Sequence, residues 1–260
     1  IVAPEDMHKV ADTIILSIPA AKNSINKTEL MVLDLLCNYN WDRPIYFMQK
    51  GGDINIGIKD YMQYDGVAYK FVPIKSKTGH GQIEQVGTEA LYNRIMNVFR
   101  WDSFMRDGYN VDYQNLLTFN NLHSPRDFMV NCAKALYAKG DSARAVEVLD
   151  KMQVVMPSSN YPLNNTTLSA LTERAIMDAI AIYLATGNKD KAYALADEFI
   201  NETSLAILLF AKEHHGQYLS YDDLQTNLYY VLMTAKVFES NGDLEKAEAI
   251  SQIIAPFLAD

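Results

Sequence analysis

The segment Gly140–Pro157 (GDSARAVEVLDKMQVVMP) constrains the fold of this chain more than any other stretch. A Gly-Asp turn is followed, five residues after the glycine, by the small residue Ala145. The segment closes on a proline, which has no N–H group with which to continue a helix. This spacing is typical of the second helix of a helical hairpin, in which Gly140 ends the first helix and Ala145 lies where the two helices cross.

The same turn recurs twice further along the chain. The two further pairs are Gly187 with Ala192 and Gly242 with Ala247. An apolar stripe at positions i, i+3, i+4 and i+7, which is one face of a helix, precedes each turn. The stripes are Met129, Cys132, Ala133 and Leu136; Ile176, Ala179, Ile180 and Tyr183; and Val231, Thr234, Ala235 and Phe238. Three unrelated helix pairs with glycine turns are the alternative interpretation.

The three units predict an irregular tetratricopeptide-like array. The turn glycines are 47 and 55 residues apart (187 − 140 and 242 − 187), whereas regular tetratricopeptide repeats recur about every 34 residues. Insertions are therefore expected near 158–170 and 203–222. The expected first helices are 124–139, 172–186 and 226–240, and the expected second helices are 142–156, 189–200 and 244–254. Each second helix should pack antiparallel to its partner, with the alanine of its turn buried.

The first part of the chain follows a different pattern. Thr13–Ile18, Ile45–Met48 and Val67–Val72 predict strands, because they are short runs rich in β-branched and aromatic residues next to proline or glycine. Two helices separate them. The first carries the stripe Leu30, Leu33, Leu36 and Cys37, and the second is a short helix through Ile58, Tyr61 and Met62. Strands that alternate with helices predict crossover connections, so we expect a small three-stranded, mainly parallel sheet.

The predicted organisation is therefore a small α/β module over residues 1–118, followed by an all-α tetratricopeptide-like array over residues 119–260. Apolar residues make up 49% of the chain and charged residues 21%, as in ordinary globular proteins. No apolar run approaches the roughly 18–20 residues that span a bilayer. The net charge of −9 argues against a general nucleic-acid binder. Cys37 and Cys132 lie in apolar helical patterns and are expected to be small core residues.

The sequence contains no recognisable catalytic motif. The phosphate-binding G-x-x-x-x-G-K-[ST], the G-x-S-x-G elbow, H-E-x-x-H and paired C-x-x-C motifs are all missing. Neighbouring histidines point about 100° apart on a helix, so His214-His215 is expected to be a solvated helix end and not a metal site. Asp102 and Asp107 lie beside the aromatic pair Trp101 and Phe104, and we expect a helix end with buried rings in preference to a sugar site. We therefore predict no catalytic residue, metal or cofactor.

Two stretches carry a resemblance to a known family. They are Thr28–Phe47 (TELMVLDLLCNYNWDRPIYF) and Ile56–Lys75 (IGIKDYMQYDGVAYKFVPIK), and Asn40–Phe47 is their most specific element. Over roughly residues 10–157 the chain resembles the C-terminal soluble region of a Bacteroidetes multi-pass membrane protein family of unknown function. That family is described as protein O-mannosyltransferase-like.

The resemblance implies a parent protein that is a membrane-anchored glycosyltransferase. This chain would then be its soluble tail on the extracytoplasmic, periplasmic side of the inner membrane. The catalytic acid of such enzymes lies in the membrane part, so no catalytic residue is carried over to this chain. We expect a non-catalytic interaction or substrate-presenting region, with a glycan or lipid-linked sugar bound through the membrane part. The alternatives are a free-standing carbohydrate-active enzyme with a site between the two parts, and a scaffold unrelated to sugars.

The predicted binding surface is the inner face of the first helices of the array. Its candidate binding residues are Lys134, Tyr137, Arg174, Tyr229 and Lys236. Helical spacing also places Asp127, Val130, Met177, Ala181 and Leu232 on this face. Such a mixture of aromatic and cationic side chains suits an extended protein or peptide partner, since the tyrosines supply anchoring area and the cations attract acidic groups. Alternatively, the irregular spacing bends the array, and the N-terminal module or the 203–222 insertion fills this face.

Overall fold

The computed structural model describes residues 1–48, 54, 56–76, 86–109, 125–164, 170–212 and 221–255. The chain forms two compact units, Ile1–Arg94 and Ile95–Asp260. This division falls earlier than the boundary predicted at residue 118, and residues 110–124 lie outside the described part. Residues 95–109 group with the helices because their aromatic rings pack there. The Phe99 and Trp101 ring centroids lie 5.6 and 6.1 Å from that of Phe128.

The first unit contains a small antiparallel sheet. Its elements are α1 (Lys27–Cys37), β1 (Tyr46–Phe47), β2 (Met62–Tyr64), β3 (Tyr69–Phe71) and α2 (Thr88–Asn93), with 3₁₀ turns at Pro4–Lys9 and Ile58–Tyr61. The strand order is β1–β3–β2, and both pairs are antiparallel. Lys70 on the central strand stands opposite Tyr46 on one side and Gln63 on the other. The prediction of a mainly parallel sheet is therefore wrong.

The error arises at Asp65-Gly66, a pair that is compatible in sequence with the end of a helix. In the structure it forms the tight turn between β2 and β3. The Asp65 N–H donates to the Ala68 carbonyl at 2.9 Å, and Gly66 has a φ of 93°, a left-handed conformation that suits glycine. A short turn joins two adjacent antiparallel strands, so no crossover helix is needed. The residues predicted as a short helix form the turn Ile58–Tyr61 and continue directly into β2.

Thr13–Ile18, predicted as a strand, is not part of the sheet. It is not the buried strand that the sequence predicts, because Ile15 is 64% exposed while Ile14 and Leu16 pack against the core. The buried core residues of this unit are Ile56, Ile58, Tyr61, Met62 and Phe71. The Ile15 N–H donates to the Tyr61 hydroxyl at 3.1 Å, so a side chain takes the place of a strand partner.

Gly57 allows that segment to approach the core closely. It has a φ of 79°, and a Cβ atom on it would come within 2.7 Å of the Ser17 carbonyl oxygen. Only glycine combines this left-handed backbone with an approach so close.

Helix α1 begins with a capping box and buries only part of its predicted stripe. The Glu29 N–H donates to the Asn26 side chain at 2.9 Å, and the Asn26 N–H donates to the Glu29 carboxylate at 3.0 Å. Leu33 and Leu36 pack against the core, together with Val32. Leu30, 61% exposed, and the exposed Cys37 do not, which corrects the prediction for both residues. Trp41 is half-buried and stacks on Phe71, with the ring centroids 5.6 Å apart.

The second unit is an array of helical hairpins. After a π-helical turn at Arg94–Val98, its helices are α3 (Pro125–Ala138), α4 (Ser142–Val155), α5 (Ala170–Ala185), α6 (Lys189–Lys212), α7 (Tyr221–Ser240) and α8 (Leu244–Ile254). Each first helix packs against its partner, and α5 packs against both α3 and α7. All three predicted stripes are buried, and Ala145, Ala192 and Ala247 are only 0, 0 and 8% exposed. The predicted array is confirmed, although α6 continues past its expected end at residue 200.

The three turns repeat the same backbone geometry. The φ angles of Gly140, Gly187 and Gly242 are 85, 77 and 81°. The next residue of each turn donates its N–H to a carbonyl five residues earlier; the pairs are Asp141 with Leu136, Asn188 with Tyr183, and Asp243 with Phe238. This is the Schellman pattern of a helix C-terminus. The Asp141 and Asp243 side chains then cap the second helices by accepting from the N–H groups of Arg144 and Lys246.

Candidate functional site: the exposed face of the first helices

The candidate residues lie on three helices that pack in succession. We call the surface of Lys134, Tyr137, Arg174, Tyr229 and Lys236 on α3, α5 and α7 the first-helix face. All five side chains are exposed, Tyr137 by 40% and Tyr229 by 54%. The described part of the chain therefore leaves the candidate residues accessible to a partner. Their binding role stays a prediction.

Charged side chains from α3 and α5 meet on this face. Asp127, Asn131 and Lys134 follow one another at helical spacing, and Arg174 and Asp178 do so on α5. The Lys134 ammonium pairs with the Asp178 carboxylate at 2.6 Å. The Asn131 amide donates to the Asp127 carboxylate at 3.1 Å. This cluster contains two carboxylates and two cations, so it is close to neutral.

Asp127 is the unusual member of the cluster. Burial raises the pKa of its carboxyl to about 6, and the negative charge of Asp178 acts in the same direction. The cations Lys134 and Arg174 and the hydrogen bond from Asn131 oppose that rise in pKa. Part of the charge of the first-helix face therefore changes in mildly acidic solution.

The α7 end of the face is mainly apolar. Tyr229 and Leu232 are 54 and 37% exposed, and Lys236 lies one turn beyond Leu232. The Tyr229 ring centroid is 6.0 Å from that of the buried Tyr230. An aromatic ring beside a leucine, with one cation at the edge, can hold a large apolar side chain.

Two expectations about the first-helix face need correction. Val130 and Met177, expected on the same face, are only 1 and 8% exposed, because they fill the contacts between helices. Lys134 was expected to attract an acidic partner, but Asp178 already neutralises it. Asp178 lies four residues after Arg174 and was identifiable as a possible ion-pair partner for that reason. Its pairing with a side chain 44 residues away depends on how the helices stack.

Two sites considered from the sequence, a metal site and a sugar site, can be compared with the described residues. No group of three or more His, Cys, Asp or Glu side chains in this part could hold a metal ion, and His214 and His215 lie outside it. Trp101 is buried and only 7% exposed. Its indole N–H donates to the Ile95 carbonyl at 3.1 Å, so the ring is a core residue and not a platform for a sugar.

Together, the two units are a small antiparallel α/β module and a helical-hairpin array with an accessible face. Residues 1–90 match the sequence profile of a family described as TMEM260-associated domain 2, a domain linked to a membrane-protein family. No curated protein and no solved structure matches the chain. In the described part of the chain, every helix is too short or too polar to cross a bilayer.

Proposed function

We propose that this chain is a non-catalytic interaction or substrate-presenting region that binds an extended protein segment across the first-helix face. The observation that carries the proposal is the exposure of all five candidate residues on three consecutively packed helices. Stacked hairpins commonly use such a surface, and exposed tyrosines lose little conformational freedom when they are covered.

The charges indicate which kind of segment fits. Within the described part of the chain, Lys236 forms no ion pair, whereas Lys134 pairs with Asp178 and Arg174 lies close enough to Asp127 to lower the pKa of its carboxyl. The preferred segment therefore carries an acidic residue that reaches Lys236 and a large apolar residue that contacts Tyr229. The charge contacts mainly raise the association rate and the specificity for the partner.

We further propose that the parent protein is a membrane-anchored, glycosyltransferase-like protein with this chain on its extracytoplasmic side. The match of residues 1–90 to a domain linked to a membrane-protein family supports the link to the membrane. The sequence resemblance over residues 10–157 supports the glycosyltransferase-like class. A glycan or lipid-linked sugar would then be handled by the membrane part, and this chain would present or recruit the protein acceptor.

The carbohydrate-active alternative needs two carboxyl groups that face each other across a cleft. Among the described residues of the helical unit, the carboxyl groups with a raised pKa are Asp127 and Glu202. They lie on different helices, and both are hydrogen-bonded within the fold. Glu202 accepts from the Leu163 and Asn164 N–H groups at 2.7 and 2.9 Å. This arrangement favours an interaction role over glycoside hydrolysis.

Site-specific photocrosslinking tests the proposed binding surface. A photoreactive amino acid at position 229 should capture a protein from an envelope extract. The same group at position 154, where Val154 is 69% exposed on α4, should not capture that protein. The double variant Tyr137→Ala/Arg174→Ala should abolish the captured band, and the matched control Val154→Ala/Arg106→Ala should keep it. The same bands from positions 229 and 154 would show that the first-helix face is not the binding surface.

A further inference from the structure

A cavity of about 330 Å³ lies in the helical unit, between α4, α6 and the segment that follows α4. Residues 156–164, which follow α4, form one wall of the cavity, and Arg126 on α3 also lines it. We call residues 156–164 the arch. The volume falls at the lower end of the range of small-molecule sites, about 300–1,000 Å³.

Hydrogen bonds fix the arch along its length, so the cavity is preformed. Arg126, only 1% exposed, donates to the Met156 carbonyl at 3.1 Å and also to the carbonyls of Tyr161 and Pro162. Beyond these carbonyls, the Glu202 carboxylate on α6 accepts from two backbone N–H groups of the segment. A ligand that enters a fixed cavity does not have to order it first.

The floor of the cavity is apolar. Met152, Met156, Leu163 and Leu195 line it, and each is at most 4% exposed. Methionine side chains are flexible and polarisable, so they adapt to ligands of different shape. This floor suits a short alkyl chain.

The rim of the cavity carries one carboxylate. Of the described residues that line it, Glu198 alone carries a carboxylate, and the Ser158 hydroxyl donates to that carboxylate across the opening. The only described cation in the lining is Arg126, whose guanidinium is occupied by three carbonyl groups and packs over the Tyr161 ring at 4.4 Å. A positively charged group at the opening would meet the Glu198 carboxylate, which forms no ion pair within the described part of the chain.

We propose that this cavity binds a short alkyl chain that ends in an ammonium group. The alkyl chain contacts Met152, Met156, Leu163 and Leu195, and the ammonium donates to the Glu198 carboxylate at the rim. Such a group belongs either to a free alkylamine or to a lysine side chain. The site is separate from the first-helix face, since none of the five residues of that face lines it.

Methyl NMR on the full chain with labelled methionines tests the proposal. The probes are pentylammonium, 1-pentanol and pentanoate, which share an alkyl chain and differ in the charge of the end group. Pentylammonium should shift the Met152 and Met156 methyl signals at the lowest concentration, and pentanoate should bind most weakly. Nα-acetyl-lysine amide is the fourth probe. Binding of this probe indicates a lysine side chain as ligand, and binding of pentylammonium alone indicates a free amine.

Glu198→Gln keeps the shape of the rim and removes its charge. It should weaken pentylammonium binding about two- to fivefold, the range of a partly exposed ion pair, and leave pentanol binding unchanged. Glu245→Gln, at an exposed position on α8, is the matched control and should change neither. Equal affinity for the three pentyl probes, or an unchanged pentylammonium affinity in Glu198→Gln, would overturn the assignment. Shifts confined to other methionines would overturn it as well.

Discussion

Asp150 on α4 and Lys191 on α6 form an ion pair at 2.6 Å, and they stand ten and four residues after the turn glycines of their hairpins. Asp197 and Lys246 form the next pair at the same two offsets. Consecutive second helices are therefore stacked in one register, although the hairpins are separated by different lengths of chain.

Tyr183 should contribute more to stability than the ion pair beside it. Its buried hydroxyl donates to Asp150 at 3.0 Å and accepts from Gln153 at 2.7 Å. Tyr183→Phe should therefore lower the free energy of unfolding by about 1–3 kcal/mol. A double-mutant cycle on Asp150 and Lys191 should give a coupling below about 1 kcal/mol, because both side chains are partly exposed. Urea unfolding followed by circular dichroism measures both, and a coupling larger than the Tyr183 effect would contradict this ranking.

The helix crossing at Ala145 should not tolerate a larger side chain. Ala145 is fully buried, so Ala145→Leu should lower the free energy of unfolding by about 1–3 kcal/mol through overpacking. Ala143 is exposed on the same helix, and Ala143→Leu should leave the stability nearly unchanged. Thermal melts of the two variants make the comparison, and equal melting temperatures would argue against a tight crossing.

Gly57 should be harder to replace than Gly140. Both have positive φ, but a Cβ on Gly140 meets nothing within 4 Å, whereas one on Gly57 overlaps the Ser17 backbone. Gly140→Ala should cost about 1 kcal/mol from backbone strain alone, and Gly57→Ala should cost clearly more. The chain has two tryptophans, Trp41 in the first unit and Trp101 in the second. In a background that keeps only Trp41, tryptophan fluorescence follows unfolding of the first unit and measures the effect of Gly57→Ala. In a background that keeps only Trp101, it follows the second unit and measures the effect of Gly140→Ala.

Stability should fall between pH 4 and pH 6 because of Asp127. The folded pKa of about 6 lies above the ordinary value of 3.8, so the folded chain holds this proton more tightly than the unfolded chain. Raising the pH through this window removes the proton and lowers the free energy of unfolding, by about 1–3 kcal/mol. Asp127→Asn should remove that loss and be more stable than the parent chain at pH 7. The two chains should be similar at pH 4, and parallel pH profiles would show that Asp127 titrates normally.

Arg126 should not be replaceable by lysine. Three backbone carbonyls converge on its planar guanidinium, and a lysine ammonium cannot match that geometry. Arg126→Lys should lower the free energy of unfolding by about 2–4 kcal/mol, since buried carbonyls lose their donors. Hydrogen exchange should rise first at the Leu163 and Asn164 amides. Lys139→Arg, an exposed exchange of similar size in the turn of the first hairpin, is the control and should have no effect.

The helical unit was predictable because its signals are local. The spacing from Gly140 to Ala145 predicts one turn, and the stripe from Met129 to Leu136 predicts one helix. The same local patterns give the same turn and helix in all three hairpins. The length of α6 was not predictable in this way. Its extension packs against α7, with Ile207 buried while Leu205 and Leu209 remain exposed. The apolar pattern of this stretch does not predict which of these side chains is buried.

The first unit was harder to predict because its contacts are few and distant. Asp65-Gly66 suits a helix end and a hairpin turn equally well, and only the pairing of Tyr64 with Tyr69 decides between them. The backbone of Ile15 is satisfied by the Tyr61 hydroxyl, 46 residues away. The first-helix face shows the same limit, because its exposed residues follow from helical spacing whereas the pairing of Lys134 with Asp178 follows from stacking.

Residues 95–109 cover the aromatic side chains of the first hairpin. Asn160 donates to the Phe104 and Arg106 carbonyls at 2.8 and 3.0 Å, and the Phe104 ring lies edge-on to that of Tyr161 at 6.2 Å. Residues 95–109 thus shield the aromatic side of the first hairpin from water. A fragment that begins at Pro125 would expose Phe128 and Tyr161 to water, and we expect it to self-associate and precipitate where the intact chain stays dispersed.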